Sequence, residues 1–447
     1  MIYSGNEISN ARNSAYRVLS DFQRNGGFSE DAVSDELKRA TLSEKDRALC
    51  VRIFMGVVQN RDLIDFYIDS YSKSSKLQPQ VRTILRIAIY QLLFLDKIPA
   101  SAVVNEAVSQ AKKLTNPQAS AFVNALLRKI SVSLDSLPEL SGNDLEKLSV
   151  KYSHPKWFVE KISGLIGPVE TEELLRENNS IPNVSIHVNT LKITLDELMT
   201  ILAAEKIKTA PHPYFAGCLE IIEGGQFYKN KSFIDGLFTV QDVASKIVVT
   251  AAAPEPGFTI IDLCAAPGGK SVAAAIMMDN IGKIISLDKN NGKISLINDA
   301  AVRTGTKIIK SQISDATVYN PALLNCGDIV FADVPCSGFG VIRKKPEIRY
   351  KKQEDIKYLP DIQRKIIENA AKYVKPGGKL VYSTCTLFPE ENEMVTSAFL
   401  ERHSNFQPLG FMLEEPFGEI KSGELTLWPH IYNTDGFYIR IMRKLYD

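Results

Sequence analysis

Residues 258–271 read FTIIDLCAAPGGKS. An apolar, β-branched run gives way to Ala265, Ala266, Pro267, Gly268 and Gly269, after which Lys270 and Ser271 open a stretch of helical periodicity. The order is strand, glycine turn, helix. Outward from it the same alternation continues. A helix over 240–252 precedes it. The strands GKIISLD (282–288), TKIIKSQ (306–312), DIVFAD (328–333) and KLVYST (379–384) follow, separated by helices from Gly269, over 291–303, 354–374 and 390–401. Strand-like LTLWP and FYIRIMR close the chain. Alternation with helices of this length indicates an α/β doubly wound parallel sheet with an antiparallel C-terminal hairpin. Ligands of such sheets bind beyond the carboxyl ends of the strands.

Three readings of the glycine turn compete. A phosphate-binding loop G-x-x-x-x-G-K-[ST] finds its tail in Gly269-Lys270-Ser271, but Cys264 stands where its first glycine belongs. A dinucleotide fingerprint G-x-G-x-x-G is absent, although Asp288, at the end of the next strand, is the kind of carboxylate that holds ribose hydroxyls. The third reading is S-adenosylmethionine in a methyltransferase sheet. Asp288, Asp315 and Asp333 each fall at or just after a strand end, so three carboxylates ring one crevice with the glycine turn.

Six cysteines, at 50, 218, 264, 326, 336 and 385, lie scattered without C-x-x-C spacing, so neither a disulfide framework nor a metal cluster is expected. Cys50, Cys218, Cys264 and Cys326 suit the ordinary role of a small buried hydrophobe. Cys336, in DVPCSG after one strand, and Cys385, in STCT after another, fall at the same sheet edge as the glycine turn. A thiolate beside a methyl donor points to one reaction. Cytosine C5 is too weak a nucleophile to take a methyl group directly, whereas thiolate addition at C6 makes C5 enamine-like; a base then removes the C5 proton and the thiol leaves. A free thiol is only slightly ionised at neutral pH, so local help is expected. Asp333 cannot supply it, because a neighbouring anion raises a thiol pKa; its expected role is to hydrogen-bond the N3/N4 edge of a flipped cytosine. Zinc-dependent deamination needs H-x-E with P-C-x-x-C, of which only the P-C is present.

Residues 8–133 carry apolar residues at three- and four-residue spacing with no convincing strand, an all-α bundle of five to seven helices, and SLPELSGND (136–144) leads out of it. Residues 145–235 mix helical stretches with the strand-like NVSIHVNTLK, CLEIIE and FTV, a small α+β unit. The expected division is 1–140, 145–235 and 236–447. With 53 Lys+Arg against 52 Asp+Glu, a polyanionic partner must be held by local basic patches. No run is long and apolar enough to span a membrane and the N-terminus lacks a signal pattern, so a cytoplasmic protein is expected.

At DLCAAPGGKS (262–271), DVPCSGFGVIRKKPEIR (333–349) and YSTCTLFPEENE (382–393) the chain resembles the Sun family of RNA cytosine-5 methyltransferases. Upstream, IYQLLFLDKIPASAVVNEAVSQAK (89–112) and FVNALLRK (122–129) resemble the NusB-like RNA-binding domain found in bacterial members acting on 16S ribosomal RNA. The resemblance implies a Rossmann-like methyltransferase sheet preceded by an all-α NusB-like domain and a small RNA-contacting subdomain. It implies S-adenosylmethionine as cofactor, held by Cys264, Ala265, Ala266, Pro267, Gly268, Gly269 and Lys270 with Asp288, Asp315 and Asp333. It also makes Cys385 the nucleophile and Cys336 the residue that assists product release; position alone does not rank the two thiols. The implied partner is 16S ribosomal RNA, naked or in an early small-subunit particle, with no metal and no membrane, and a monomer is expected. The chain departs from the family pattern at His187 (usually Arg), Ser101 (His), Phe339 (Thr) and Tyr350 (Trp); loss of the arginine at 187 is expected to weaken one RNA contact. The basic run Arg343, Lys344, Lys345, Arg349, Lys351 and Lys352, beside a catalytic cysteine, is expected to contact phosphates. A rival reading is an RNA-binding assembly or antitermination factor that works through its helical domain alone.

Overall fold

The computed structural model describes residues 10–25, 29–72, 76–224 and 227–446. The chain forms two compact units, one of residues 1–179 with 342–351, the other of 180–341 with 352–447.

The first unit is helical. Seven helices, Ala11–Asn25, Ser29–Arg39, Glu44–Gln59, Arg61–Tyr71, Pro79–Phe94, Ala100–Leu114 and Pro117–Ser131, match the periodicity of the sequence. Pro79 and Pro117 sit in first turns, where no N–H is needed, and the side chains of Ser43 and Asn116 accept the backbone N–H of Asp46 and Ala119. Pro79–Phe94 buries Ile84, Leu85, Ala88 and Ile89 against Phe54, Val123 and Leu127 in one continuous core. Helices Asp144–Tyr152 and Lys156–Glu177, which the sequence groups with the strands that follow, cluster with this unit. The second of them is kinked where Gly167, at φ 81°, precedes Pro168.

The two arginines of the basic run do not behave as expected. Arg343 is 5% exposed and ion-paired with Glu177; Arg349 is 1% exposed and donates to the carbonyls of Gln59, Tyr152 and Ser153 and to Asn179 Oδ1. Gln59, Tyr152 and Ser153 lie at the C-terminal ends of two helices, whose last carbonyls lack intrahelical partners and carry the negative end of the helix dipole. A buried guanidinium is therefore matched by acceptors rather than by phosphate. Burial brings its pKa down to about 10. Tyr350, where the family pattern has Trp, donates its hydroxyl to the Val58 carbonyl and stacks under Arg61 at 3.6 Å. Neither arginine is free to hold RNA.

The second unit opens with a four-stranded antiparallel sheet of β1 (Val184–Val188), β2 (Lys208–Pro211), β3 (Cys218–Glu223) and β4 (Phe238–Val240), in the order β2-β3-β1-β4. His187 lies in β1 and is 5% exposed, its Nε2 donating to the Gln241 carbonyl at 3.0 Å. It is a core residue, with one ring nitrogen committed to the main chain. Burial, then the charge of Lys246, lowers its pKa to about 4. The unfolded imidazole titrates near 6.5, so stability present above that pH is lost as pH falls toward 4, by up to about 3 kcal/mol. Urea unfolding at pH 7 and pH 4.5 checks this. His187→Gln, which keeps an N–H donor but no titration, is expected to lose about 2 to 3 kcal/mol less than the wild type over that interval.

The main sheet follows: β5 (Thr259–Asp262), β6 (Lys283–Asp288), β7 (Ile309–Ile313), β8 (Gly327–Asp333), β9 (Val374–Thr384) and β10 (Phe406–Pro408). After a small hairpin, β11 (Phe411–Met412) and β12 (Glu419–Ile420), come β13 (Glu424–Leu427) and β14 (Phe437–Lys444). The strand order is β10-β14-β9-β8-β5-β6-β7, with β13 also on β14; β5 to β9 are parallel and β14 runs antiparallel to β9. The inner strands are buried on both faces, as their apolar runs require. Helix 354–374 of the sequence reading begins at Leu359, after a short 3₁₀ turn at Gln353–Ile356, because Pro360 fits only a first turn. The strand order reverses between β5 and β8, so the switch-point crevice opens at Asp262 and Asp333.

Candidate active site

At the end of β5 the chain turns through Cys264 to Gly268 into helix Gly269–Met277. Ala265 N–H bonds the Leu287 carbonyl at 2.8 Å, tying the turn to β6. Gly268 has φ 106°, and a Cβ there would also lie 3.2 Å from Ile297 Cα, so a side chain is strained and crowded alike. The turn thus brings bare backbone and a helix N-terminus to the crevice.

The predicted carboxylates meet here to different degrees. Asp288 is nearly buried and accepts Asn290 N–H, while Asp315 is exposed and is held by the hydroxyl and N–H of Thr317, which lower its pKa. Asp333 accepts Lys270 Nζ on Oδ2 and Ser383 Oγ on Oδ1, both at 2.7 Å. Lys270 also lies over the Phe437 ring at 5.0 Å. All three aspartates act on one probe: burial first, then Asp333, Asp262, Asp288 and Asp315, hold the Cys264 thiol far above its usual range. Cys264 is accordingly a protonated lining residue.

Asp262 was missed by the sequence reading, although the strand-end rule that selects Asp288 and Asp333 selects it equally. It is 1% exposed, its Oδ2 accepts Ser271 Oγ at 2.7 Å, and Oδ1 has no partner among the described residues. Burial raises its pKa to about 6. The same contacts weigh against a phosphate loop. Lys270 is committed to Asp333, and Ser271 Oγ is buried between Asp262 and Ser286 Oγ, so the two residues that would bind phosphate and Mg²⁺ are engaged elsewhere.

Both predicted thiols stand at this edge. Cys336 and Cys385 are half-buried, with their sulfurs 3.2 Å apart. Their loops are joined by Gly340 N–H to the Cys385 carbonyl at 2.9 Å, Ser337 Oγ to Thr386 Oγ1 at 2.8 Å, and Val334 N–H to the Ser383 carbonyl at 3.1 Å. A Cβ on Gly340 would fall 2.0 Å from the Gly436 carbonyl oxygen, so this crossing admits only glycine. The hydrogen bond with Cys385, then burial, keeps the Cys336 thiol protonated well above its ordinary pKa. Phe339, where the family pattern has Thr, is buried against Phe388 with centroids 5.0 Å apart. Among the described residues no helix is long and apolar enough to cross a membrane, and no group of three or more His, Cys, Asp or Glu could hold a metal ion.

Residues 249–443 match the 16S rRNA methyltransferase RsmB/F family, 9–132 the NusB family, and 154–227 the ferredoxin-like domain of RsmF/B-like methyltransferases. The chain is 34% identical over 443 residues to the probable ribosomal RNA small subunit methyltransferase B of Bacillus subtilis (strain 168), covering 97% of this chain and 98% of that one. To the corresponding Synechocystis protein (strain PCC 6803) it is 32% identical, covering 97% and 99%. The crystal structure of PH0851 is similar over 97% of this chain and 98% of its own, with 30% identity and a TM-score of 0.81.

Proposed function

Because the chain belongs to the RsmB/F family of 16S ribosomal RNA methyltransferases, we propose that it methylates C5 of a cytosine in 16S ribosomal RNA through a covalent bond from Cys385 to C6. The observation that carries this reading is the pair of thiols 3.2 Å apart at the switch-point edge, beside Asp333 and the glycine turn. Methylation of an exocyclic amine needs no sulfur nucleophile, and two facing thiols have no use in it.

The residues present fit S-adenosylmethionine. Asp288 is placed for ribose hydroxyls, the bare backbone at Gly268 admits close approach, and the unpartnered Oδ1 of Asp262 offers an acceptor. The cofactor, when bound, supplies an electrophilic methyl group. Asp333, fixed by Lys270 and Ser383, keeps further lone pairs to accept from the cytosine N4 edge. Cys385, its proton given up to solvent, forms the bond to C6 as the thiolate, and the C5=C6 pair becomes available at C5 to take the methyl group. After transfer a base takes the C5 proton, the double bond re-forms, and the C6–sulfur bond breaks with its electron pair returning to Cys385. Cys336 faces that bond and assists the release.

The direct test is incubation with S-adenosylmethionine and a protein-free 16S transcript, digestion to nucleosides, and mass spectrometry for 5-methylcytidine. Formation on the transcript or on assembled small subunits supports the proposal; methylcytidine of another regiochemistry sinks it. Cys336→Ala is expected to accumulate a protein–RNA species that survives denaturation, raised roughly a hundredfold over the wild type. A denaturing gel with labelled RNA reads it, and absence of the band removes the release role.

A further inference from the structure

The motif that ends PEENE contributes two neighbouring buried side chains that each grip one cysteine loop. Asn392 is 1% exposed; its Oδ1 accepts Thr384 Oγ1 at 2.6 Å and its Nδ2 donates to the Thr386 carbonyl at 3.0 Å, so it brackets Cys385 from both sides. Glu391, 2% exposed, accepts the Ser337 N–H at 2.9 Å, immediately after Cys336. Gln363, fully buried, spends its amide nitrogen on two acceptors, Glu391 Oε2 at 2.8 Å and the Pro335 carbonyl at 3.0 Å, immediately before Cys336. Cys336 is bracketed in the same way, by a Gln–Glu pair.

This arrangement is costly if its purpose is only to fold. Glu391 Oε1 and Gln363 Oε1 are both shielded from solvent and have no partner among the described residues. An unsatisfied buried oxygen costs about 1 to 3 kcal/mol, and an apolar pair would pack the same space without it. A polar clamp retained at such a position holds something whose placement matters. What it holds is the peptide on either side of Cys336, and the residue next to Glu391 holds the peptide on either side of Cys385.

We propose that Glu391, bridged to Pro335 by Gln363, is a positioning residue that seats the Cys336 thiol against Cys385 and thereby governs the release half of the reaction. The inference rests on the assignment of Cys385 to attack and Cys336 to release. Adjacent placement of Glu391 and Asn392 on one short turn ties the two cysteine loops to the same segment. Glu391 also bears directly on the thiol, being among the charges that keep Cys336 protonated, after Cys385 and burial.

The test compares Glu391→Ala, Gln363→Ala and Glu391→Gln with Cys336→Ala, using the full chain, S-adenosylmethionine and the 16S transcript. Single-turnover methylation and the fraction of RNA held covalently are read together, with thermal unfolding as the check on folding. Loss of the clamp is expected to raise the trapped fraction roughly ten- to a hundredfold, with first-turnover methylation within about threefold of the wild type. Glu391→Gln keeps an oxygen for Ser337 N–H and Gln363 and is expected to stay within about threefold of the wild type in both. A general loss of structure instead depresses both readouts together with the melting temperature, and Gln363→Ala carries the test should Glu391→Ala not fold. Wild-type release in the folded alanine variants, while Cys336→Ala traps RNA, overturns the inference. If Cys336→Ala itself traps nothing, the assignment beneath it has failed first, and the inference falls with it.

Discussion

Cys385→Ala is expected to abolish 5-methylcytidine formation, by at least about 10⁴-fold, while S-adenosylmethionine still binds. The loss is large because no second route exists. In the proposed reaction cytosine C5 does not attack the methyl group without addition at C6, and among the described residues Cys336 brings the second sulfur against Cys385. Cys336 is the nearest sulfur, but it holds its proton far above the usual thiol range and its loop is clamped on both flanks. Among the described residues the Cys385 sulfur meets that of Cys336, and none of the residues proposed to hold the cofactor, Cys264 to Lys270 with Asp288, Asp315 and Asp333, hydrogen-bonds it. Labelled methyl transfer to 16S RNA measures the first part and calorimetric titration with S-adenosylmethionine the second. Turnover retained in the alanine variant refutes the nucleophile assignment.

Arg349→Ala is expected to destabilise the helical unit by about 3 to 5 kcal/mol. Its guanidinium supplies hydrogen bonds to three main-chain carbonyls and one amide oxygen, all within the first unit, and removing it strands these acceptors in a dry site. The melting temperature of that unit should fall by roughly 6 to 15 °C, as followed by differential scanning calorimetry. Arg349→Lys should recover little of this, since a single ammonium cannot reproduce a fork that reaches two helix ends. A shift under about 2 °C would show that the carbonyls find other partners. The outcome also separates two uses of the basic run: a phosphate-binding arginine on a surface would leave stability unchanged and alter only the salt dependence of RNA binding.

The alternation of strand and helix after residue 240 was legible because parallel strands covered on both faces must be apolar throughout, as in TIID, IISL and IVFA. The seven N-terminal helices were legible for the complementary reason that each buries one stripe. The crevice followed from strand ends, and the same rule applied without exception would have added Asp262. The order of the two thiols was not legible from position, because both follow strand ends at one edge of the sheet and only the family resemblance ranks them. The fate of Arg343 and Arg349 was hidden for a related reason. Local sequence marks them as a charged loop, while the acceptors that make their burial tolerable come from residues 59, 152, 153, 177 and 179, far away along the chain. Likewise the burial of His187 was hidden, because the Gln241 carbonyl that takes its ring nitrogen lies 54 residues further along the chain.

The segment 342–351 has a consequence for how the polypeptide is made. A ribosome releases residues 1–179 long before it reaches Arg349 and Tyr350, so during synthesis the helix ends at Val58, Gln59 and Tyr152 wait for their donors. The first unit to emerge is therefore among the last to be finished, and its completion reports that the strands up to β8 have already been translated. A fragment cut near residue 140 lacks these donors by construction of the chain order. Weak RNA binding by such a fragment would reflect an incomplete fold as readily as a missing binding surface, and supplying a peptide spanning 342–351 in trans would distinguish the two.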